Sequence, residues 1–148
     1  MAITTAICTS FKTGLLKKLY NLDSGGDSFK FALIKHTPTG SYGAASTAYA
    51  NITGNSDEVT GTGYTAGGNA TTNTGVSASG TTAIADFGNV SWTSASFSTD
   101  GAMMYDNTVA GKDSIALWDF GGIQTVTAQT FTLSMPASGA ATSLIRIA

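Results

Sequence analysis

The chain is 148 residues long with a formal net charge of −2, and it is 42% hydrophobic but only 11% charged, against roughly 25% charged in typical soluble proteins. That length suits a single domain, 1–148, able to bury its own core, and the scarcity of charge leaves Ser, Thr, Asn and Gly to make the surface. The weak charge excludes a field that would recruit a nucleic-acid backbone. No apolar run approaches the roughly 18 residues of a membrane-spanning helix.

The N-terminus, MAITTAICTSFKTG, lacks the basic start and long apolar stretch of a secretory signal, so release into the cytosol is expected. The single cysteine, Cys8, rules out an intrachain disulfide and a multi-thiolate metal site. It reads as a small buried apolar residue.

Phe11, Leu15, Leu16, Leu19 and Leu22 recur near one face and predict a short helix over about residues 10–22. Thr9 or Ser10 would cap it, Lys17 and Lys18 would sit near its C-terminal end where the dipole favours cations, and Ser24-Gly25-Gly26 would stop it. Its apolar face is expected to plug a sheet; docking onto a partner is the alternative. From Phe29 the period changes to two, Phe29, Phe31 and Leu33 alternating with Lys30, Ala32 and Ile34 as in a core strand. Residues 36–73, rich in Gly, Ser, Thr and Asn, form a long excursion that either holds short strands or becomes ordered on a partner. Within it, Asp57-Glu58-Val59 and the glycines after it suggest a short strand and turn.

Strands then return quickly, over 75–79, 82–87, 90–93, 95–98, 101–105 and 114–120, followed by 125–133 and 143–147. A connection is expected at Asp106-Asn107 and Ala110-Gly111-Lys112. Short strands separated by turn residues argue for an all-β protein, a β-sandwich or jelly-roll-like barrel with one short N-terminal α-helix and a β-rich body over 29–148. Asp86-Phe87-Gly88 and Asp119-Phe120-Gly121 echo one another and are consistent with two similar hairpins.

The chain offers little chemistry. The only histidine, His36, falls at a strand end beside the excursion, a poor place for a general base, and one His with one Cys cannot make a tetrahedral zinc site. Asp119-Phe120-Gly121 lacks the partners that give that tripeptide meaning in kinases. The run from Gly61 to Gly68 resembles a phosphate loop but is followed by neither lysine nor helix, and reads as a flexible loop. Asp57 and Glu58, adjacent in a strand, point to opposite faces and so would not act as a catalytic pair. Asp23 and Asp27 flank a turn without the ligand pattern of a calcium loop. No cofactor, metal or catalytic residue is therefore expected. Trp92 and Trp118 lie in strands and read as core, which leaves Tyr42, Tyr49 and Tyr64 in loops, with Lys17 and Lys18, as the candidate partner-contact residues.

The run Gly61 to Gly68, the strand ending Leu117-Trp118-Asp119-Phe120-Gly121-Gly122, the segments Thr125-Val126-Thr127 and Thr130-Phe131-Thr132 with Pro136, and the closing Ile145-Arg146-Ile147 together resemble a family of small structural virion proteins of tailed bacteriophages. The opening helix fits as well. The resemblance implies a non-enzymatic capsid cement or decoration protein, made in the host bacterial cytoplasm and carried in the virion. Its partners would be the major capsid protein and neighbouring copies of itself, with a homo-oligomer allowed. A tail or fibre component, or a carbohydrate-binding module whose loop tyrosines stack on glycans, are the competing expectations.

Overall fold

The structure, a computed structural model, describes residues 2–148. It is an all-β, sandwich-like fold of two antiparallel sheets. Among the described residues eight strands and two short helices follow in the order β1 (Ala6–Ile7), α1 (Thr9–Leu16), β2 (Phe29–Lys35), α2 (Ala50–Gly54), β3 (Asn69–Ala70), β4 (Asn73–Ser79), β5 (Thr82–Phe87), β6 (Val90–Asp106), β7 (Ser114–Leu133) and β8 (Ile145–Ile147). The larger sheet has the order β1-β7-β6-β2-β3 and the smaller β4-β5-β8.

β2 is buried on both faces, which its two-residue alternation did not anticipate. Phe29, Phe31 and Leu33 pair with Asp106, Met104 and Ala102 and so share one face of the sheet; Lys30, Ala32 and Ile34 pair with Tyr105, Met103 and Gly101 and share the other. The first face meets the small sheet, where the Phe29 and Phe87 rings stand edge to face 5.5 Å apart. The second is covered by the excursion, where Tyr49 stacks on Tyr105 at 4.7 Å. The larger sheet is thus a middle layer, and one continuous apolar cluster runs through both of its faces from Ile3 to Ile145.

Several expected strands are single strands broken by bulges. β6 joins the three segments expected over 90–105, with irregular register at Trp92/Ala95 and Thr99/Gly101. Ser94, between the first two, sits at φ +50°. β7 likewise joins 114–120 and 125–133. Its Gly121 and Gly122, at φ +74° and +152°, lie where the chain bulges between the pairs Gly101–Asp119 and Thr99–Gln124. The two Asp-Phe-Gly tripeptides therefore do not end matching hairpins: one closes the β5–β6 turn and the other lies inside β7. The connection after Asp106 is the β6–β7 hairpin loop, as expected.

α1 is shorter than its apolar period suggests, and neither Thr9 nor Ser10 caps it; Cys8 is the N-cap, without a side-chain hydrogen bond. It ends in a Schellman turn. Lys18 adopts φ +60°, and the Lys18 and Leu19 amides donate to the Leu15 and Gly14 carbonyls, each at 3.0 Å. The chain folds back so that the Tyr20 ring lies 5.1 Å from Phe11 and its hydroxyl donates to Asp113 Oδ2 at 2.9 Å. Gly14 makes room for this, since a Cβ there would stand 2.3 Å from Tyr20 Cε2. Ser24-Gly25-Gly26 lies in a later turn and does not stop the helix.

Candidate interaction surface

The excursion is tied down by two adjacent carboxylates. Asp57 and Glu58 lie in a single bridge to β2, where Lys35 N donates to Asp57 O and Val59 N to Leu33 O. As strand neighbours they point apart, and each gathers its own donors. Asp57, fully buried, accepts from the Thr39 and Gly40 amides, from the Tyr42 hydroxyl at 2.6 Å and from the Thr39 hydroxyl, and it pairs with Lys35 Nζ at 3.0 Å. Burial pushes its carboxyl up, but the donors together outweigh burial and hold it well below the usual carboxylate range.

Glu58 accepts from the Tyr49 hydroxyl at 2.5 Å, the Tyr64 hydroxyl at 2.7 Å and the Gly67 amide at 2.6 Å. The Tyr64 hydroxyl also accepts from Leu33 N at 3.0 Å, and Tyr105 donates to Gly67 O at 2.7 Å. The run from Gly61 to Gly68 is consequently fastened rather than flexible, and a further bridge joins Thr62 to Ser96 of β6.

This network corrects the expectation that the loop tyrosines are free for a partner. Tyr42 is buried, and burial with its bond to Asp57 pushes its phenol up to about 12. Tyr49 and Tyr64 are half-buried; burial and the Glu58 carboxylate raise both phenols far above their ordinary value. Their rings stack within the fold, Tyr49 on Tyr105 and Tyr64 on Trp92 at 6.1 Å. Tyr42, Tyr49 and Tyr64 are structural fasteners that hold the excursion on the sheet. Trp92 is buried and Trp118 half-buried.

The remaining candidates for chemistry are dispersed. His36 stands half-exposed just past β2, with Nδ1 2.8 Å from Asp100 Oδ1; Asp100 Oδ2 accepts from the Thr37 amide, so the pair anchors the start of the excursion to β6. Cys8 is fully buried, receives the Ser114 hydroxyl at 3.2 Å, and has its thiol pushed up by burial. Asp23 and Asp27 serve the turn, accepting from the Ser24 and Asn21 amides. Among the described residues no three His, Cys, Asp or Glu side chains converge as a metal site requires.

Lys17 and Lys18 are exposed at the end of α1. The docking alternative expected for the helix's apolar face did not include the part that β8 plays beside it. Leu16 is 91% exposed and Ile147 60%. Both line an open cleft between α1 and β8 with Leu15, Ile145, Lys12 and Arg146. An adjoining cleft shares Leu15, Ile145 and Ile147 and reaches Val76. The signal was present in the sequence: the apolar period of the helix runs past the surface its eight residues can bury.

A second open surface is the outer edge of β7. β1 pairs with it only at Ala116 and Leu117, and among the described residues no strand pairs with that edge from Asp119 to Leu133. The stretch is rich in Thr and Gln, and Asp119 is its only charged residue. No known protein family, curated protein or solved structure matches this chain.

Proposed function

We propose that the chain is a non-enzymatic structural protein of a tailed-bacteriophage virion, a cement or decoration protein that binds the outside of the head and bridges major capsid protein subunits. The observation that carries this reading is the presence of two open contact surfaces on different sheets, the outer edge of β7 and the cleft between α1 and β8. A bridging protein needs two. The β7 edge offers unpaired backbone groups to an added strand, and its hydroxyl and amide side chains suit a wet, hydrogen-bonded contact.

Asp57 and Glu58, meanwhile, are engaged inside the fold by tyrosines and backbone, and His36, at the surface, is paired with Asp100. Many weak copies reinforce a shell because each one raises the free energy of separating the subunits it touches. Purified protein added to heads that lack it is expected to bind at many copies per particle and raise their disruption temperature. Absence of binding, or binding without a thermal shift, would sink the cement role. A few copies per virion, counted by quantitative mass spectrometry, would place the protein in the tail.

A further inference from the structure

The cleft between α1 and β8 has a composition unlike the rest of the surface. The two charged side chains that line it, Lys12 and Arg146, are both cations, and Lys17 and Lys18 follow in sequence where α1 ends. Among the described residues no carboxylate lines either part of the cleft. Among the described residues five large apolar side chains are left exposed, and three of them, Leu16, Val76 and Ile147, line the two parts of the cleft. A cationic, apolar surface on a chain of net charge −2 asks for an occupant that is both apolar and acidic.

The backbone states the occupant's form. β8 is the last strand of the small sheet, so the outer edge of Ile145–Ile147 carries unpaired backbone groups. An extended segment laid along it would alternate sides. Residues on one side would pack with Ile145 and Ile147, and those on the other would lie beside Arg146, which lines the same cleft and whose guanidinium donates to the Ala141 carbonyl. A lipid surface would satisfy the charge but not this backbone edge.

We propose that the α1–β8 cleft captures an extended segment of another protein in which apolar residues alternate with Asp or Glu, the segment adding as a strand to β8. The proposal rests on the reading that this chain works by contacting other proteins, and it names one such contact.

The test uses the full chain and fluorescently labelled peptides: one alternating Val with Glu, one Val with Lys, one Ser with Glu. The Val/Glu peptide is expected to bind at least about tenfold more tightly than the others, to weaken as salt is raised, and to lose binding when alternate backbone amides are N-methylated. L16E and I147D, at positions already largely exposed, should abolish binding without changing the melting temperature. K12E combined with R146E should transfer preference to the Val/Lys peptide. Equal binding of the Val/Glu and Val/Lys peptides, binding indifferent to N-methylation, binding of anionic vesicles but of no peptide, or a self-association lost in L16E would each overturn the proposal. I147D chains that still cement heads as the parent does would overturn this contact and leave the cement role standing. Parent chains that bind the Val/Glu peptide but no heads would do the reverse.

Discussion

The Tyr42 hydroxyl donates to Asp57 Oδ2 at 2.6 Å, and both side chains are closed to solvent. The pair joins the N-terminal segment to the excursion, because Tyr42 also exchanges backbone hydrogen bonds with Ala2 and Thr4. Y42F removes one donor of several and should cost about 1.5–3 kcal/mol, the range for a hydrogen bond to a charged group. D57A leaves the Thr39 and Gly40 amides and the Tyr42 hydroxyl without their acceptor, while Lys35 keeps the Ser56 carbonyl, and should cost about 3–5 kcal/mol at roughly 1–3 kcal/mol for each buried donor left unsatisfied. Urea unfolding measures both. Hydrogen exchange should show the D57A loss concentrated over residues 36–73, with β6 and β7 still protected.

Acid should act through the same carboxylate. Asp57 is held well below its ordinary value of 3.8, so the folded chain binds fewer protons there than the unfolded one. That stabilisation is complete above the ordinary value and is lost as pH falls from it toward the depressed folded value. Melting temperature followed downward from pH 5 should drop for the parent chain, and the drop should be smaller in D57N, which starts less stable.

Asp106 should act with the opposite sign. It is fully buried, and its Oδ2 has no hydrogen-bond donor, while Oδ1 accepts from the Thr108 and Val109 amides. Burial, with the nearby Asp27 carboxylate, raises its pKa above 3.8. The folded state therefore holds a proton that the unfolded state releases, and stability falls as pH rises through that window. D106N keeps the acceptor for Thr108 and replaces the unpaired oxygen with a donor for Asp27. It should stabilise the chain at neutral pH by about 1 kcal/mol, a gain that shrinks as pH approaches the ordinary carboxylate value.

The turn at the end of α1 makes a third case. An interior helical Gly→Ala change ordinarily gains about 1 kcal/mol, but a Cβ at Gly14 would meet the Tyr20 ring at 2.3 and 2.9 Å. G14A should displace that ring, break its 2.9 Å bond to Asp113 and cost about 1–3 kcal/mol net. In a Y20A background the same change should turn stabilising, a reversal that a double-mutant cycle would read directly.

These cases show what local pattern can and cannot carry. Turn residues at Ser94, Asp100 and Gly121 marked interruptions at the right positions, yet whether a chain reverses or only bulges there depends on the strand beside it. The period-two pattern of β2 identified a core strand but not its second buried face, because that face is made by tyrosines supplied from 49 and 64. Alternation correctly separated Asp57 from Glu58. What it left unseen is that each carboxylate organises a different part of the excursion, since their donors come from residues 35 to 67 and meet only after folding. The apolar period of α1 continued to Leu22, and the helix stops at Leu16 because Tyr20 packs back over Gly14. Leu16 and Leu19 are thereby left outside, where the cleft surface begins.

Two glycines separate backbone strain from crowding. Gly25 and Gly68 both have left-handed φ, +78° and +66°, but a Cβ at Gly25 meets nothing within 4 Å, whereas at Gly68 it would lie 1.8 Å from the Phe31 carbonyl oxygen. G25A should cost only the left-handed penalty, about 1–2 kcal/mol. G68A adds a backbone clash that no rotamer relieves, at the point where β3 meets β2 through the Phe31–Asn69 pair. It should cost several kcal/mol more than G25A in urea unfolding and expose amides of β3 and of the neighbouring Gly67, releasing the donor that Gly67 gives to Glu58. Equal costs for the two substitutions would mean that β3 is not held against β2 as closely as this geometry requires.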